Sequence, residues 1–425
     1  MDFMRNLLAS IALAAPLAAG AHITAVNVER IEPFADGHAF GAAGPYERVT
    51  GKAKGELDPM DVHQRAIVNI AKAPRNARGM VEYEVDFDVL RPLDPARSNG
   101  TLLFEVTNRG RKFLLHWLLD APAQAAGAVN DPRSLRDAGN GLFLERGYTI
   151  VWTGWEPEVA RANGGMAITL PIATEGGQPI VRTIRDELVS GTRAPQVTAF
   201  RLAYEAATLD QSKAVLTVRR KASDTPRIIA ANGWTYVDAR SIKLLPDGTK
   251  PEPGSLYVLS YPAKDPKVLG IAFAATRDFV SFMRRPSATI DPQAKLARPG
   301  IQHAIAVGIS QSGRYLRDHI ASGFNHDEAD RKVFDGVLAH ISGIGRVFLD
   351  TEFGMSGRTN TQHEDHLYPE NEFPFSTALA TDPLSGKRGT LFRQDGFDPL
   401  LIEVNTSTEY WQKGASLLHT DARGE

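Results

Sequence analysis

The sequence predicts an α/β fold in which a mostly parallel central sheet is flanked by helices and interrupted by a β-rich insertion. Three observations support this prediction. Buried-strand patterns alternate with helical patterns in the first and last parts of the chain, as in parallel sheets. The stretch 156–261 breaks this rhythm and is rich in Pro, Gly, Thr and Val. At 304–322, an apolar strand leads through a small-residue turn directly into a helical pattern.

The predicted strands are apolar or alternating runs bounded by turn residues. They lie at 23–28, 81–90, 101–106 and 148–152, within the insertion at 167–170, 214–218 and 256–259, and finally at 304–307, 336–341 and 400–404. Apolar residues at helical spacing predict helices around 113–118, at 271–283 and at 315–322. An irregular segment at 351–396 contains three of the prolines and is expected to lie over the site.

Composition limits the class of function. The chain has 425 residues with a net charge of −2 and is 43% hydrophobic, which is ordinary for a large globular domain. No long run of one charge sign is present, so we expect neither nucleic acid nor a membrane surface as a partner. The absence of cysteine excludes disulfides and thiolate chemistry.

The first 21 residues differ from the rest of the chain. Arg5 precedes an apolar stretch at 7–19, and the small residues at 19–21 resemble a cleavage site. This pattern predicts a secretory signal peptide at 1–21, followed by one domain at 22–425. The apolar stretch is too short to span a bilayer. We therefore expect a periplasmic or secreted protein.

The six residues at 308–313 give the strongest functional signal. A serine on a turn between a strand and a helix is typical of the nucleophile of an α/β-hydrolase. The tight turn requires small residues two positions before and two positions after this serine. Ser310 meets the requirement with Gly308 and Ser312, whereas a nucleophile at Ser312 would place Arg314 against the strand. We therefore predict that Ser310 is the nucleophile and that the following helix directs its amide dipoles at the oxyanion.

Hydrolysis through a serine also requires hydrogen-bond donors for the oxyanion. The backbone N–H of Gln311, directly after the nucleophile, is the first predicted donor. The second donor is expected in the loop that follows the strand at 101–106, where Asn108 and Arg109 lie. An ordinary strand-to-helix turn is an equally good interpretation of that loop.

The acid that orients the catalytic base should follow a later strand than the nucleophile does. Glu409, which comes after the strand at 400–404, is the favoured acid, and Asp350 and Glu352 are the alternatives. Only His419 follows Glu409, and it lies in an apparently helical stretch. The base is therefore expected from an unusual place or from beyond residue 425.

Two further histidines, His363 and His366, lie in a sequence with acidic neighbours and could serve as substitutes or hold a metal. Their spacing is not that of the H-E-x-x-H zinc helix, and nearby prolines argue against a regular helix. We predict that they contact substrate from a loop and that no metal is bound. His340, at the end of a strand, is expected to be a core histidine.

Together these segments resemble a family of exported bacterial proteins with an α/β-hydrolase domain. The residues that carry the resemblance are 108–110, 147–155, 308–316, 363–375 and 405–420. The resemblance implies an α/β-hydrolase fold and an esterase-like Ser-acid-His enzyme with Ser310 as nucleophile. It also implies a further strand and a catalytic histidine beyond residue 425, so that the printed chain is expected to be truncated and its activity impaired.

The function predicted from the sequence is hydrolysis of a carboxylic ester or a related acyl bond in a small molecule, without a cofactor. A non-catalytic binding protein on a hydrolase scaffold is the alternative, because the base is missing from its usual place. Hydrolysis assisted by a metal at His363 and His366 is a third possibility. The sequence identifies neither the substrate nor the oligomeric state.

Overall fold

The computed structural model describes residues 23–124, 127–190, 199–293, 295–356, 370–420 and 423. Its longer strands are β1 (Ile23–Pro33), β2 (Gly44–Leu57), β3 (Val81–Pro92), β4 (Thr101–Val106), β5 (Thr149–Thr153), β6 (Val181–Val189), β7 (Val215–Arg219), β8 (Arg227–Ile229), β9 (Trp234–Asp238), β10 (Ser241–Leu244), β11 (Leu256–Lys264), β12 (His303–Ile309), β13 (Gly336–His340) and β14 (Leu400–Val404). The helices are α1 (Leu114–Leu119), α2 (Leu142–Glu145), α3 (Ile271–Arg284), α4 (Gln311–Ala321) and α5 (Ser407–Gln412). Two-residue strands occur at Ala39–Phe40, Ile168–Thr169, Thr174–Glu175, Gln178–Pro179, Phe200–Arg201, Ala380–Thr381 and Arg388–Gly389.

The main sheet has the strand order β1-β2-β3-β5-β4-β12-β13-β14. Pairing is parallel from β5 to β14 but antiparallel among β1, β2, β3 and β5. The predicted mostly parallel sheet is therefore correct only for its second half. The antiparallel pairing of β1 with β2, of β2 with β3 and of β3 with β5 makes the sheet mixed.

Helices cover the two faces of the sheet unequally. The strand β4 alternates between the faces, with Leu102 and Phe104 in one core cluster and Leu103 in the other. Helices α3 and α4 pack on the first face, where the Tyr315 hydroxyl of α4 donates a hydrogen bond to the carbonyl oxygen of Ala272 in α3. The short helices α1 and α2 contribute to the second cluster. Flanking helices were predicted, but in the described chain they are few and short except for α3 and α4.

Between β5 and α3 the chain forms two smaller antiparallel sheets. One has the order β6-β11-β7-β8, and the other joins Phe200–Arg201, β10 and β9. Their buried residues, such as Trp234 and Tyr257, belong to the same core cluster as Phe104 of the main sheet and Phe273 of α3. This β-rich part therefore packs on the main sheet through shared core side chains.

The order of the parallel strands fixes where a site can form. After β4 the chain moves to β5 on one side, and it later returns to β12 on the other side of β4. The loops that follow β4 and β12 therefore diverge at their carboxyl ends, and such a switch point is where α/β sheets place ligands. Among the described residues, no helix has both the length and the apolar character needed to cross a bilayer.

Candidate active site

Ser310 occupies the turn between β12 and α4. Its backbone has φ 62° and ψ −117°, a conformation that residues other than glycine rarely adopt. The Ser310 N–H donates to the His340 carbonyl oxygen at 2.8 Å, and the Ser310 carbonyl oxygen accepts from the N–H groups of Gly313 and Arg314 at 3.0 and 3.2 Å. These bonds from the neighbouring strand and the first helical turn hold the strained conformation. Ser310 remains partly exposed.

Close packing of the strand and the helix explains the small residues around Ser310. A Cβ atom on Gly308 would lie 2.3 Å from the Ser312 carbonyl oxygen, and one on Gly313 would lie 2.9 Å from Cβ of Ser342. Ser312 is fully buried, and its hydroxyl has no hydrogen-bond partner within the described chain. The two serines of the motif therefore have opposite environments, and only Ser310 is on the turn and reachable from solvent.

Gln311 is the first residue of α4, directly after Ser310. The first N–H groups of a helix have no partner within the helix, so they attract negative charge. No acceptor for the Gln311 N–H is found among the described residues. The Gln311 side chain, 4% exposed, donates from Nε2 to the Ser356 carbonyl oxygen. This side chain fixes the start of α4 against the segment that ends at Ser356.

The predicted second donor is not free in this structure. The Asn108 N–H donates to the Arg111 carbonyl oxygen at 2.9 Å, and the Arg109 N–H donates to Glu156 Oε1 at 2.9 Å. The Asn108 side-chain amide donates to the Ile309 carbonyl oxygen at 2.8 Å, which holds the loop beside the turn. The loop after β4 lies beside the turn at Ser310, but the Arg109 amide donates to Glu156. Sequence spacing does not reveal a partner 47 residues away.

Glu409 has a different role from the predicted one. It lies in the first turn of α5, and its Oε2 accepts from the N–H of Thr406 at 3.1 Å and from the Thr406 hydroxyl. This is a capping box, in which the residue before the helix and the third residue of the helix satisfy each other's backbone groups. The sequence signal was present, because Thr406 and Glu409 have the T-x-x-E spacing. No described histidine bonds to the Glu409 carboxylate.

The alternative acids are also engaged elsewhere. Asp350 pairs with Arg346 at 3.0 Å. Glu352 accepts from the Asn69 side chain at 2.9 Å and pairs with Arg182 at 3.1 Å, which links the β-rich part to the main sheet. The predicted acid and both alternatives therefore act in capping or packing within the described chain.

No described histidine forms a hydrogen bond with the Ser310 hydroxyl. His340 is the nearest along the sheet, because it pairs in register with Ile309. Burial lowers the pKa of His340, and the nearby Glu409 carboxylate opposes this effect. His419 is exposed, with its ring centroid 5.8 Å from that of Tyr410. His363 and His366 lie outside the described residues, as does the predicted signal peptide.

A cavity of about 730 Å³ has Arg109, Ser356 and residues of β6 in its wall, whereas Ser310 is not among the wall residues. Two hydrogen bonds connect this wall to the turn: Asn108, next to Arg109, donates to the Ile309 carbonyl oxygen, and Gln311 donates to the Ser356 carbonyl oxygen. Glu156 also lies on the wall and is 5% exposed. Burial raises the pKa of Glu156 to about 7, although Arg109 and the Ser356 hydroxyl partly oppose this rise. Sequence reasoning missed Glu156, whose only signal is its place shortly after the carboxyl end of β5.

A possible cation site lies elsewhere. Nitrogen atoms of His63 and His326 and an oxygen of Asp330 lie within 4.8 Å of one another. In the structure His63 Nδ1 bonds to Asp61 and His326 Nε2 bonds to Asp330, each at 2.7 Å. His326 follows the far end of α4, a helix about 16 Å long at 1.5 Å per residue, so these groups are remote from Ser310.

Comparison with known proteins agrees with this geometry. Residues 218–422, slightly less than half of the chain, match the model of a family described as alpha/beta hydrolase domain. This part of the chain is similar to an alpha/beta hydrolase domain. The matched segment contains β12, the turn at Ser310, α4, β13 and β14. The match supports hydrolase activity in general, and no curated protein matches the chain.

Proposed function

We propose that the protein is a serine hydrolase that cleaves a carboxylic ester or a related acyl bond of a small molecule. The observation that carries this proposal is the strained backbone of Ser310 between β12 and α4. A hydroxyl in that position lies beside the first amides of a helix, and Ser356, which accepts a hydrogen bond from Gln311, belongs to the wall of a cavity large enough for a small substrate.

In the proposed reaction, the Ser310 hydroxyl attacks the substrate carbonyl carbon. The Gln311 N–H stabilises the oxyanion that forms. Collapse of the intermediate releases the alcohol and leaves an acyl group on Ser310, which water then removes. A histidine is the expected base for both steps, and Glu409, as a helix cap, is no longer the preferred partner for it.

The test is covalent labelling of the full chain with a fluorophosphonate probe. We expect Ser310→Ala to lose the labelling, because the probe reacts with an activated serine hydroxyl. Ser312→Ala is the matched control, since it removes a buried hydroxyl two residues away that has no described partner, and it should still be labelled. Labelling that persists in Ser310→Ala contradicts the proposal.

A non-catalytic binding protein is the second candidate. It is favoured by one observation, namely that no described histidine is bonded to the Ser310 hydroxyl. This candidate predicts that the natural chain is neither labelled by the probe nor able to hydrolyse p-nitrophenyl esters, while small molecules still bind in the cavity. Labelling of the natural chain at Ser310 would exclude it.

A further inference from the structure

The wall of the cavity combines cations with carboxylates: it includes Arg109, Arg111, Arg201, Arg240 and Lys267 as well as Glu156, Glu158, Asp186 and Glu187. Glu158 pairs with Lys267, and Arg240 bonds to Glu205 at 3.3 Å. Arg109 and Arg111, by contrast, have no ion-pair partner within 4.0 Å among the described residues. Both arginines belong to the loop after β4, which Asn108 joins to the turn at Ser310 through its bond to the Ile309 carbonyl oxygen.

Arg109 is held in place but is incompletely satisfied. Its Nη1 donates to Asn108 Oδ1 at 3.2 Å, and its buried Nε has no hydrogen-bond partner in the described chain. Burial lowers the pKa of Arg109, and the positive charges of Arg111 and Arg314 lower it further, whereas Glu156 opposes the effect. Arg109 thus feels the positive charge of both Arg111 and Arg314, and the carboxyl that opposes them at Arg109 is Glu156.

The loop that carries both arginines is rigid. Arg109 and Gly110 have φ values of 50° and 73°, and a Cβ atom on Gly110 would lie 2.3 Å from a methyl carbon of Val159. The Gly110 carbonyl oxygen accepts from the Met166 N–H at 3.2 Å, and the Arg109 N–H donates to Glu156. Because this backbone is fixed from both sides, the arginines are presented to the cavity without a further cost of ordering the loop.

We propose that Arg109 and Arg111 bind a carboxylate group of the substrate, so that the enzyme prefers esters that also carry a free acid. This inference rests on the proposed function and specifies its substrate class. Guanidinium groups bind carboxylates through two parallel hydrogen bonds, and neither arginine has an ion-pair partner within 4.0 Å among the described residues. A substrate carboxylate would also relieve the repulsion between Arg109 and Arg111.

The kinetic test compares two matched esters, the p-nitrophenyl monoester of glutaric acid and p-nitrophenyl valerate. We expect the unsubstituted chain to hydrolyse the glutaric acid monoester with a kcat/KM at least tenfold higher than its kcat/KM for p-nitrophenyl valerate. Arg111→Gln should reduce the ratio of the two kcat/KM values by about tenfold, and Arg111→Lys should reduce it less, because lysine keeps the charge but loses the paired donors. Arg136→Gln, which removes an exposed arginine outside the cavity wall, is the control and should leave the ratio unchanged.

A binding test separates this inference from the proposed function. Glutarate binding to Ser310→Ala is measured by calorimetry, because this variant reports recognition even when no hydrolysis occurs. Binding that Arg111→Gln weakens supports the inference even if the natural chain proves inactive. An active enzyme whose two esters react equally, or a Ser310→Ala variant that does not bind glutarate, overturns the inference and leaves the assignment of Ser310 intact.

Discussion

The environment of single side chains, rather than their chemical type, separates the roles within the Ser310 region. Ser310 and Ser312 are two residues apart, yet one lies on a strained turn and the other is fully buried in a helix. Glu156 and Glu409 are both carboxyl groups near the site. Burial raises the pKa of Glu156 to about 7, whereas Glu409 caps a helix. Residue type alone therefore identifies candidates without ranking them.

His319 shows the same dependence on environment. It is fully buried in α4 among the rings of Phe273, Tyr315, Phe324 and Phe334, and neither ring nitrogen has a partner in the described chain. Burial, followed by the charge of Arg277, lowers the pKa of His319 to about 3. The imidazole therefore stays neutral in the folded protein at neutral and mildly acidic pH.

We predict that His319→Leu stabilises the protein by about 1–2 kcal/mol at pH 7, because a buried polar group without a partner carries a desolvation cost. The effect should grow below pH 6.5, the ordinary histidine pKa, because the unfolded chain then binds a proton that the folded chain excludes. Between pH 6.5 and pH 3, His319 therefore lowers the free energy of unfolding of the wild-type protein by up to about 1.4 kcal/mol for each pH unit.

Urea denaturation at pH 7 and pH 5 measures this difference. His303→Leu is the control, because His303 is 65% exposed and folding does not bury its imidazole. Equal stability of the wild-type protein and His319→Leu at both pH values would show that the buried imidazole has no cost.

At the scale of elements, the unit that builds the site is the strand β12, the turn at Ser310 and the helix α4. The helix starts one residue after the turn, so its first carbonyl groups lie against the end of the strand. Gly308 permits this approach because it has no side chain. The turn geometry therefore depends on a residue that has no chemical role.

We predict that Gly308→Ala lowers the free energy of unfolding by about 1–3 kcal/mol and slows probe labelling of Ser310, because the new methyl group forces α4 away from β12. Gly336→Ala is a matched control on the neighbouring strand β13, where the nearest atom to the added Cβ is 3.9 Å away. Denaturation and the labelling rate should distinguish the two variants. If both lose the same stability, the close contact at Gly308 is not what constrains the turn.

At the scale of the whole molecule, two structural parts form one cavity. The Tyr204 hydroxyl of the β-rich part donates to the Gly354 carbonyl oxygen at 2.6 Å, and Glu352 joins Asn69 to Arg182. The shared core cluster continues between the same two parts. Because the cavity wall is assembled from both, the shape available to a substrate is a property of their packing.

Strand β14 forms one edge of the main sheet and exposes apolar side chains. Strand β14 pairs with β13 on one side, and no described strand pairs with its other side. Leu400, Ile402 and Val404 point to the same face and are 81%, 63% and 42% exposed. An exposed apolar edge strand is a template for pairing with another chain.

We therefore predict that the printed chain self-associates at high concentration and that Ile402→Lys reduces this association, because a charge at the edge disfavours strand pairing. Sedimentation measures the average mass over a range of concentrations. Leu384→Lys is the control, since it adds the same charge at a residue that is 95% exposed and outside the main sheet. If the unsubstituted printed chain is monomeric at every concentration, the prediction is contradicted.

Much of the fold could be predicted from local sequence. The strands predicted at 101–106 and 400–404 and the helix predicted at 271–283 lie within one residue of the observed elements, whereas the strand predicted at 256–259 extends to Lys264. The prediction of a mostly parallel sheet was only partly correct, because the antiparallel pairing of β3 with β5 depends on contacts distant in sequence. The signal peptide, the exported location and the contacts of His363 and His366 stay predictions.

The sequence by itself determined the turn at Ser310, because the requirement for small residues around a strand-to-helix turn acts over only a few residues. Only the tertiary structure decided that Glu156 accepts the hydrogen bond of the Arg109 amide and that Arg109 and Arg111 lie on a cavity wall with no ion-pair partner within 4.0 Å among the described residues. Hydrogen bonds and unbalanced charge depend on which distant groups the fold brings within a few ångströms, and sequence spacing does not encode those distances.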